Sequence, residues 1–222
     1  MISRSALASG AAAAVTAGGR LADLRRDAWG HGVLAVAHAV TAAGARQVLV
    51  DGEGVREALA LEGIDATLEG DADIDPVLLY GLPRADGDEH GRPVMRLHGR
   101  VLSTKRLRVG DAVSYGYTFR AANDTTVGLV TGGYAQGILR ALGNRASVEI
   151  DGVARPIVGR VAMDVCVVDL QGAAVDAGAE ATFFGGGGSA SRHLLRWQQV
   201  TGLTVPELVT VAGLHAERGW EA

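Results

Sequence analysis

The apolar positions of the first eighty residues change period several times. Ala6 to Val15 is an alanine-rich run that Ser3 or Ser5 can cap and Gly18-Gly19 stops, which predicts a helix. Leu21 to Leu24 predicts a short strand, followed by a glycine turn at Gly30 to Gly32. Apolar residues return at helical spacing from Val33 to Ala42 and stop at Gly44. Gln47 to Val50 is a β-branched run closed by Asp51-Gly52, hence a buried strand, and Gly54 to Leu61 predicts another helix. Helices of about ten residues between short apolar strands predict βα units of a parallel sheet.

The texture changes near residue 93. Alternating patterns predict strands at Val94 to Val101, Ala112 to Phe119, Thr126 to Thr131, Ala146 to Ile150, Pro156 to Arg160, Asp164 to Asp169 and Glu180 to Phe184. Glycine, Asn and Asp separate them, the pattern of an antiparallel β domain. The polar segment Pro83 to Pro93 carries two prolines and predicts a linker over 84–92, between domains 1–83 and 93–222. Residues 191–201 and 205–214 predict C-terminal helices, with Pro206 in a first turn. The fold class is therefore α+β, multi-domain.

Composition narrows the function. Of 222 residues, 48% are apolar and 21% charged, which describes a folded chain and excludes disorder. A net charge of −4 leaves no footprint for nucleic acid or an anionic membrane. No window approaches the about 18 consecutive apolar residues of a membrane span. Ala6 to Gly18, preceded by Arg4 alone, is poorer than a usual signal core, and the single cysteine, Cys166, fits a reducing compartment. Cytoplasmic localisation is expected. Among 21 basic residues only one is lysine, Lys105, so a mechanism needing a nucleophilic amine has few places to put it.

Most candidate motifs have a plain explanation. Gly185 to Gly188 lacks the lysine of a phosphate loop and reads as a turn. The six histidines show no zinc-ligand spacing, so no metal is expected. Cys166 lies in the apolar run Val165 to Val168, the place of an inert core thiol, and there is no GxSxG element. Three clusters remain: Val113-Ser114-Tyr115-Gly116-Tyr117-Thr118, then Gly132-Gly133-Tyr134-Ala135-Gln136-Gly137 with Arg140, then Pro156 to Asp164.

In order and spacing these clusters resemble the C-terminal β domain of the alanine racemases, whose motifs are VSYG-x-T, GYADG and GR-x-x-MD. Asp27-Ala28-Trp29-Gly30-His31-Gly32 resembles the cofactor-lysine segment K-A-D-A-Y-G-H-G, and Leu79 to Pro83 resembles the LYG strand that closes the family's barrel. The resemblance implies an eight-stranded βα barrel holding pyridoxal phosphate, followed by a β domain, in a head-to-tail dimer. It implies that Tyr115 corresponds to the catalytic tyrosine. Tyr134, Arg140 and Arg160 correspond to the substrate entry corridor, and Met163 and Asp164 to the loop that meets the substrate carboxylate.

The chain departs from the family where the cofactor sits. The Schiff-base lysine position holds Arg25, whose guanidinium stays protonated and is a poor amine nucleophile. About eighty residues stand where a (βα)₈ barrel takes roughly 200. Ala72 to Pro76 lacks the arginine of R-P-G, 212–218 lacks the tyrosine of S-Y-R-V-P-R, Trp29 replaces a tyrosine and Gln136 an aspartate. The expectation is a truncated βα-barrel remnant followed by an antiparallel β domain, with no bound cofactor. It is read as a pseudoenzyme acting through a homodimer or hetero-oligomer, an intact racemase being one candidate partner. The alternatives are a residual isomerase using Tyr115 and a small-molecule sensor for alanine or a wall precursor.

Overall fold

A computed structural model of the chain describes residues 1–84 and 91–222. In chain order the strands are β1 (Ile2–Ser3), β2 (Leu21–Asp23), β3 (Gln47–Leu49), β4 (Ala66–Thr67), β5 (Leu97–Leu107), β6 (Ala112–Val113), β7 (Phe119–Arg120) and β8 (Thr125–Thr131). They continue with β9 (Ser147–Ile150), β10 (Val153–Val158), β11 (Val165–Asp169), β12 (Glu180–Phe184) and β13 (Trp220–Glu221). The chain divides into two compact units, 1–95 with 209–222, and 96–208.

The first unit is built on a parallel sheet in the order β2-β3-β4. On the outer side of β2, the amides of Asp73 and Ile74 both donate to the Leu21 carbonyl, and Asp73 Oδ1 accepts from the Arg20 and Leu21 amides. A fourth segment therefore lies beside β2, reached from β4 through residues 68–72. Gly70 passes over Leu21, where a Cβ would stand 3.1 Å from its side chain. The sheet is open, as expected of a barrel remnant.

Ser3 caps the helix Arg4–Thr16 by accepting from the Ala6 amide. This helix packs on the helices Val33–Ala42 and Pro76–Tyr80. At Gly10 the helix comes so close that a Cβ would sit 2.3 Å from the Leu79 carbonyl oxygen. Leu79 and Tyr80, expected in a strand, lie in that last helix instead. Asp75 caps it through the Val77 amide, Pro76 occupies its first turn, and left-handed Gly81 ends it.

The second unit is a closed antiparallel barrel in the order β10-β11-β8-β5-β12-β9. Val130, Val148, Ile157, Val168 and Phe183 fill it and are fully buried. Trp197, on the helix His193–Thr201, meets Phe184 edge-on at 5.5 Å. Within the reading of 93–222 as one β domain, the barrel accounts for 96–208. Residues 209–222 return to the first unit because β13 pairs in parallel with β1, Ile2 opposite Trp220.

Two strand expectations also change. Ala112 to Phe119 is not continuous: β6 and β7 flank a 3₁₀ turn at Tyr115–Tyr117. Pro156 to Arg160 is the later part of a strand that starts at Val153 and stops at Val158, because Gly159 turns left-handed. Of the expected linker 84–92, residues 85–90 lie outside the described residues. No helix among the described residues is long and apolar enough to cross a membrane.

Candidate functional site

The three clusters of the barrel unit are tied together by short polar contacts. The 3₁₀ turn projects Tyr115, 73% exposed, with Tyr117 beside it. Ser114 anchors the turn: its hydroxyl donates to the Arg160 carbonyl at 2.7 Å and accepts from the Arg160 amide at 3.1 Å. Gly159 makes this possible, since a Cβ there would stand 2.4 Å from the Ser114 Cβ. Gly116 lies under the Arg160 guanidinium.

The second cluster packs on the third in the same way. The amides of Tyr134 and Ala135 donate to the carbonyls of Ala162 and Met163, each at 3.0 Å. Gly133 has no room for a Cβ, which would sit 2.3 Å from both carbonyl oxygens. Gln136 joins the loops: its Oε1 accepts from the Gly133 amide and its Nε2 donates to Asp164 Oδ1 at 3.2 Å. The departure from the family aspartate thus carries a structural bridge that a second carboxylate cannot make to Asp164. Arg140 lies 5.9 Å from the centre of the Tyr134 ring. Tyr115, Tyr134 and Met163 are all exposed.

Two depressions border this surface. One, of about 650 Å³, is lined by Val113, Leu129, Val165 and Val167 together with Lys105, Tyr115 and Arg160. The other, of about 500 Å³, holds Arg140, Arg145 and Arg160 with Asn144 and no acidic side chain. Asn144, left-handed at φ 60°, accepts from the Gly159 amide and donates to Thr118. The sequence pattern did not single out Arg145 or Asn144, because neither belongs to a motif. The left-handed bend at Asn144 and its bond to the Gly159 amide place the two beside that turn.

In the first unit, Arg25 lies just beyond the C-terminal end of β2. Its guanidinium is bidentate to Asp23, Nε to Oδ1 at 2.9 Å and a terminal nitrogen to Oδ2 at 2.6 Å. That hydrogen-bonded pair holds the Asp23 carboxyl below its ordinary range and pushes Arg25 further up. Arg25 opens a helical turn, Arg25–Trp29, in which Arg26, Asp27 and Ala28 are left-handed at φ 52–55° and Trp29 at φ 57°. Left-handed non-glycine residues cost roughly 1–2 kcal/mol each, so a run of four needs strong anchors.

Those anchors are present. Asp27 accepts from the Val33 amide at 2.8 Å and pairs with Arg218, whose Nε donates to the Gly30 carbonyl. The Arg26 amide donates to Asp51. His31 Nδ1 lies 2.9 Å from the Ala28 carbonyl, and its ring stacks on Tyr80 at 4.0 Å. Gly30 passes so close to Gly213 that a Cβ would stand 2.4 Å from its Cα.

The remaining expectations can be placed directly. The glycine run 185–188 wraps a carboxylate of the chain itself: Glu149 accepts from the Ser189 hydroxyl at 2.6 Å and the Ala190 amide at 3.0 Å. A Cβ on Gly188 would sit 2.3 Å from that carboxylate. Cys166 is buried, which pushes its thiol up to about 12. No group of three metal-ligating side chains is found among the described residues.

Comparison with known proteins agrees with this geometry. Residues 94–219 match the family model described as alanine racemase, C-terminal domain. The alanine racemase of Mycolicibacterium vanbaalenii is 43% identical over 126 residues, 56% of this chain and 32% of that protein. That of Mycolicibacterium smegmatis is 37% identical over 198 residues, 87% of this chain and 46% of that protein. The chain therefore spans between a third and a half of these relatives' length. Among solved structures, the alanine racemase from D-cycloserine producing Streptomyces lavendulae superposes with a TM-score of 0.84 at 18% identity, over 100% of this chain and 96% of the other.

Proposed function

The chain belongs to the alanine racemase family, and from that premise we propose that it acts by binding rather than by racemising amino acids. One observation carries the proposal. The position that the resemblance gives to the cofactor lysine is Arg25, closed on Asp23 in a bidentate pair. The sole lysine, Lys105, stands on β5 of the barrel unit.

The side chains present do not fit pyridoxal phosphate. A guanidinium stays protonated and forms no imine with the cofactor aldehyde under ordinary conditions, and its Asp23 partner raises it further. The segment beside β2, residues 72–76, holds no arginine, where the family resemblance expects one facing the cofactor ring. No racemisation step is routed through the cofactor here.

The face bearing Tyr115, Tyr134, Met163 and Arg160 supports an interaction role. Exposed tyrosines, methionine and arginine on one contiguous surface are the composition of a protein interface centre. We assign this face to association with a second copy, or with an intact racemase through the family's head-to-tail arrangement. Tyr115 then acts as an interface residue.

The test combines two measurements on the purified chain. With pyridoxal phosphate added, the optical activity of L-alanine should stay constant, and light scattering at micromolar concentration should return a dimer. Loss of L-alanine optical activity above the uncatalysed background contradicts the first part, and a monomer contradicts homodimer formation. A second reading, a sensor of small carboxylates, is favoured by Arg140, Arg145 and Arg160 converging on one depression. Calorimetric titration with both alanine enantiomers separates it: saturable heat selects the sensor.

A further inference from the structure

The depression beside Tyr115 is built from one face of three neighbouring strands. Register places Ser103 opposite Leu129 and Leu129 opposite Val167, with Lys105 opposite Val127. The alternate positions Val101, Val130 and Cys166 point inward and are buried. The Ser103–Leu129–Val167 row therefore lies on the outside of the barrel, where side chains normally meet water. Here they are largely apolar, and the turn at Ser114–Tyr117 overhangs them to make a cavity of about 650 Å³. That volume lies within the range of small-molecule sites.

Two cations border this apolar floor. Lys105 and Arg160 both line the cavity, and among the described residues neither forms an ion pair. Ser103, exposed on the same row, adds a hydroxyl. Apolar walls with unneutralised positive charge at the edge are complementary to a molecule with a hydrocarbon body and one anionic head. We propose that this cavity binds a free medium-chain carboxylate, its chain on Val113, Leu129 and Val167 and its head at Lys105 and Arg160. This site does not depend on whether the first unit holds a cofactor.

The experiment is calorimetric titration of the whole chain with octanoate and with 1-octanol, which share a body and differ in the head. Octanoate should bind at one site about tenfold more tightly than octanol. Lys105→Gln should bring the two ligands to within about twofold, and Ser103→Trp, which fills the cavity from an exposed position, should weaken octanoate about tenfold. Both variants are checked for unchanged melting, so a lost signal is not lost fold. Equal binding of the two ligands, no saturable binding, or unchanged affinity in Ser103→Trp overturns the proposal. None of these outcomes touches the pyridoxal phosphate question.

Discussion

His31 lies in the dry interior of the first unit, as does Tyr80 beside it. It is fully buried, stacked on Tyr80, and its Nε2 has no hydrogen-bond partner in the structure. Burial pushes its pKa from 6.5 down to about 4. The folded state thus holds His31 neutral at a pH where the unfolded chain is protonated. Stability is present above pH 6.5 and is lost as pH falls toward 4, by about 3 kcal/mol in all. Urea unfolding at several pH values, followed in the first unit, should show that loss. His31→Phe keeps the ring stack, removes the proton and should flatten the curve over that window.

Gly30 tests the left-handed turn at the same scale. Its φ is 77° and its Cα faces Gly213 at van der Waals limits. Gly30→Ala should cost more than about 2 kcal/mol, since a methyl would meet backbone on both counts. A melting temperature within a degree of the parent would show that the turn is not held as described.

At the scale of elements, the glycine run 185–188 and Glu149 act together. Burial raises the Glu149 carboxyl, but hydrogen bonds from Ser189 and Ala190 outweigh it, so the net shift is downward. Glu149→Ala should cost about 1–2 kcal/mol and speed amide exchange at Ser189 and Ala190. Unchanged exchange would mean the loop holds itself. The sequence alone predicted a turn at these glycines. It did not reveal the purpose, because Glu149 lies forty residues upstream on β9 and only the barrel register joins them.

That pattern recurs across the molecule. Strands β8, β11 and β12 and the helices after Ser3 and Val33 were legible, since alternation, capping and glycine stops are local signals. Leu79 to Pro83 reads as a strand only through its resemblance to the LYG segment; Leu79 and Tyr80 lie in the helix Pro76–Tyr80, for which Asp75-Pro76 is a local cap signal. β4 and the β1–β13 pair escaped because two-residue strands exist only through their partners. Among candidate residues, Tyr115, Tyr134, Arg140, Arg160, Met163 and Asp164 are singled out by motif. Lys105 gained significance only when the register set it opposite Val127, on the cavity that Leu129 and Tyr115 also line.

At the scale of the whole chain, the family model over 94–219 takes in the barrel unit and little of the first one. The barrel unit keeps its closed sheet and the three interlocked loops. The first unit carries a left-handed turn after β2; Arg25, at the position the resemblance gives to the cofactor lysine, is paired with Asp23; and the parallel sheet is open after β4. Restoring one side chain should therefore not restore chemistry. Arg25→Lys, assayed with pyridoxal phosphate and L-alanine, is expected to remain inactive, because 72–76 hold no arginine and 212–218 no tyrosine where the resemblance expects them. Turnover by this variant would show that the rest of the site had survived.

We propose that this chain does not carry out pyridoxal phosphate chemistry. The most direct measurement is the visible absorption of the purified protein titrated with pyridoxal phosphate, followed by borohydride reduction and peptide mass mapping. The expected result is the spectrum of free cofactor at every ratio, with no single labelled peptide. A new long-wavelength band, with the cofactor mass fixed stoichiometrically on one specific amine, would contradict it.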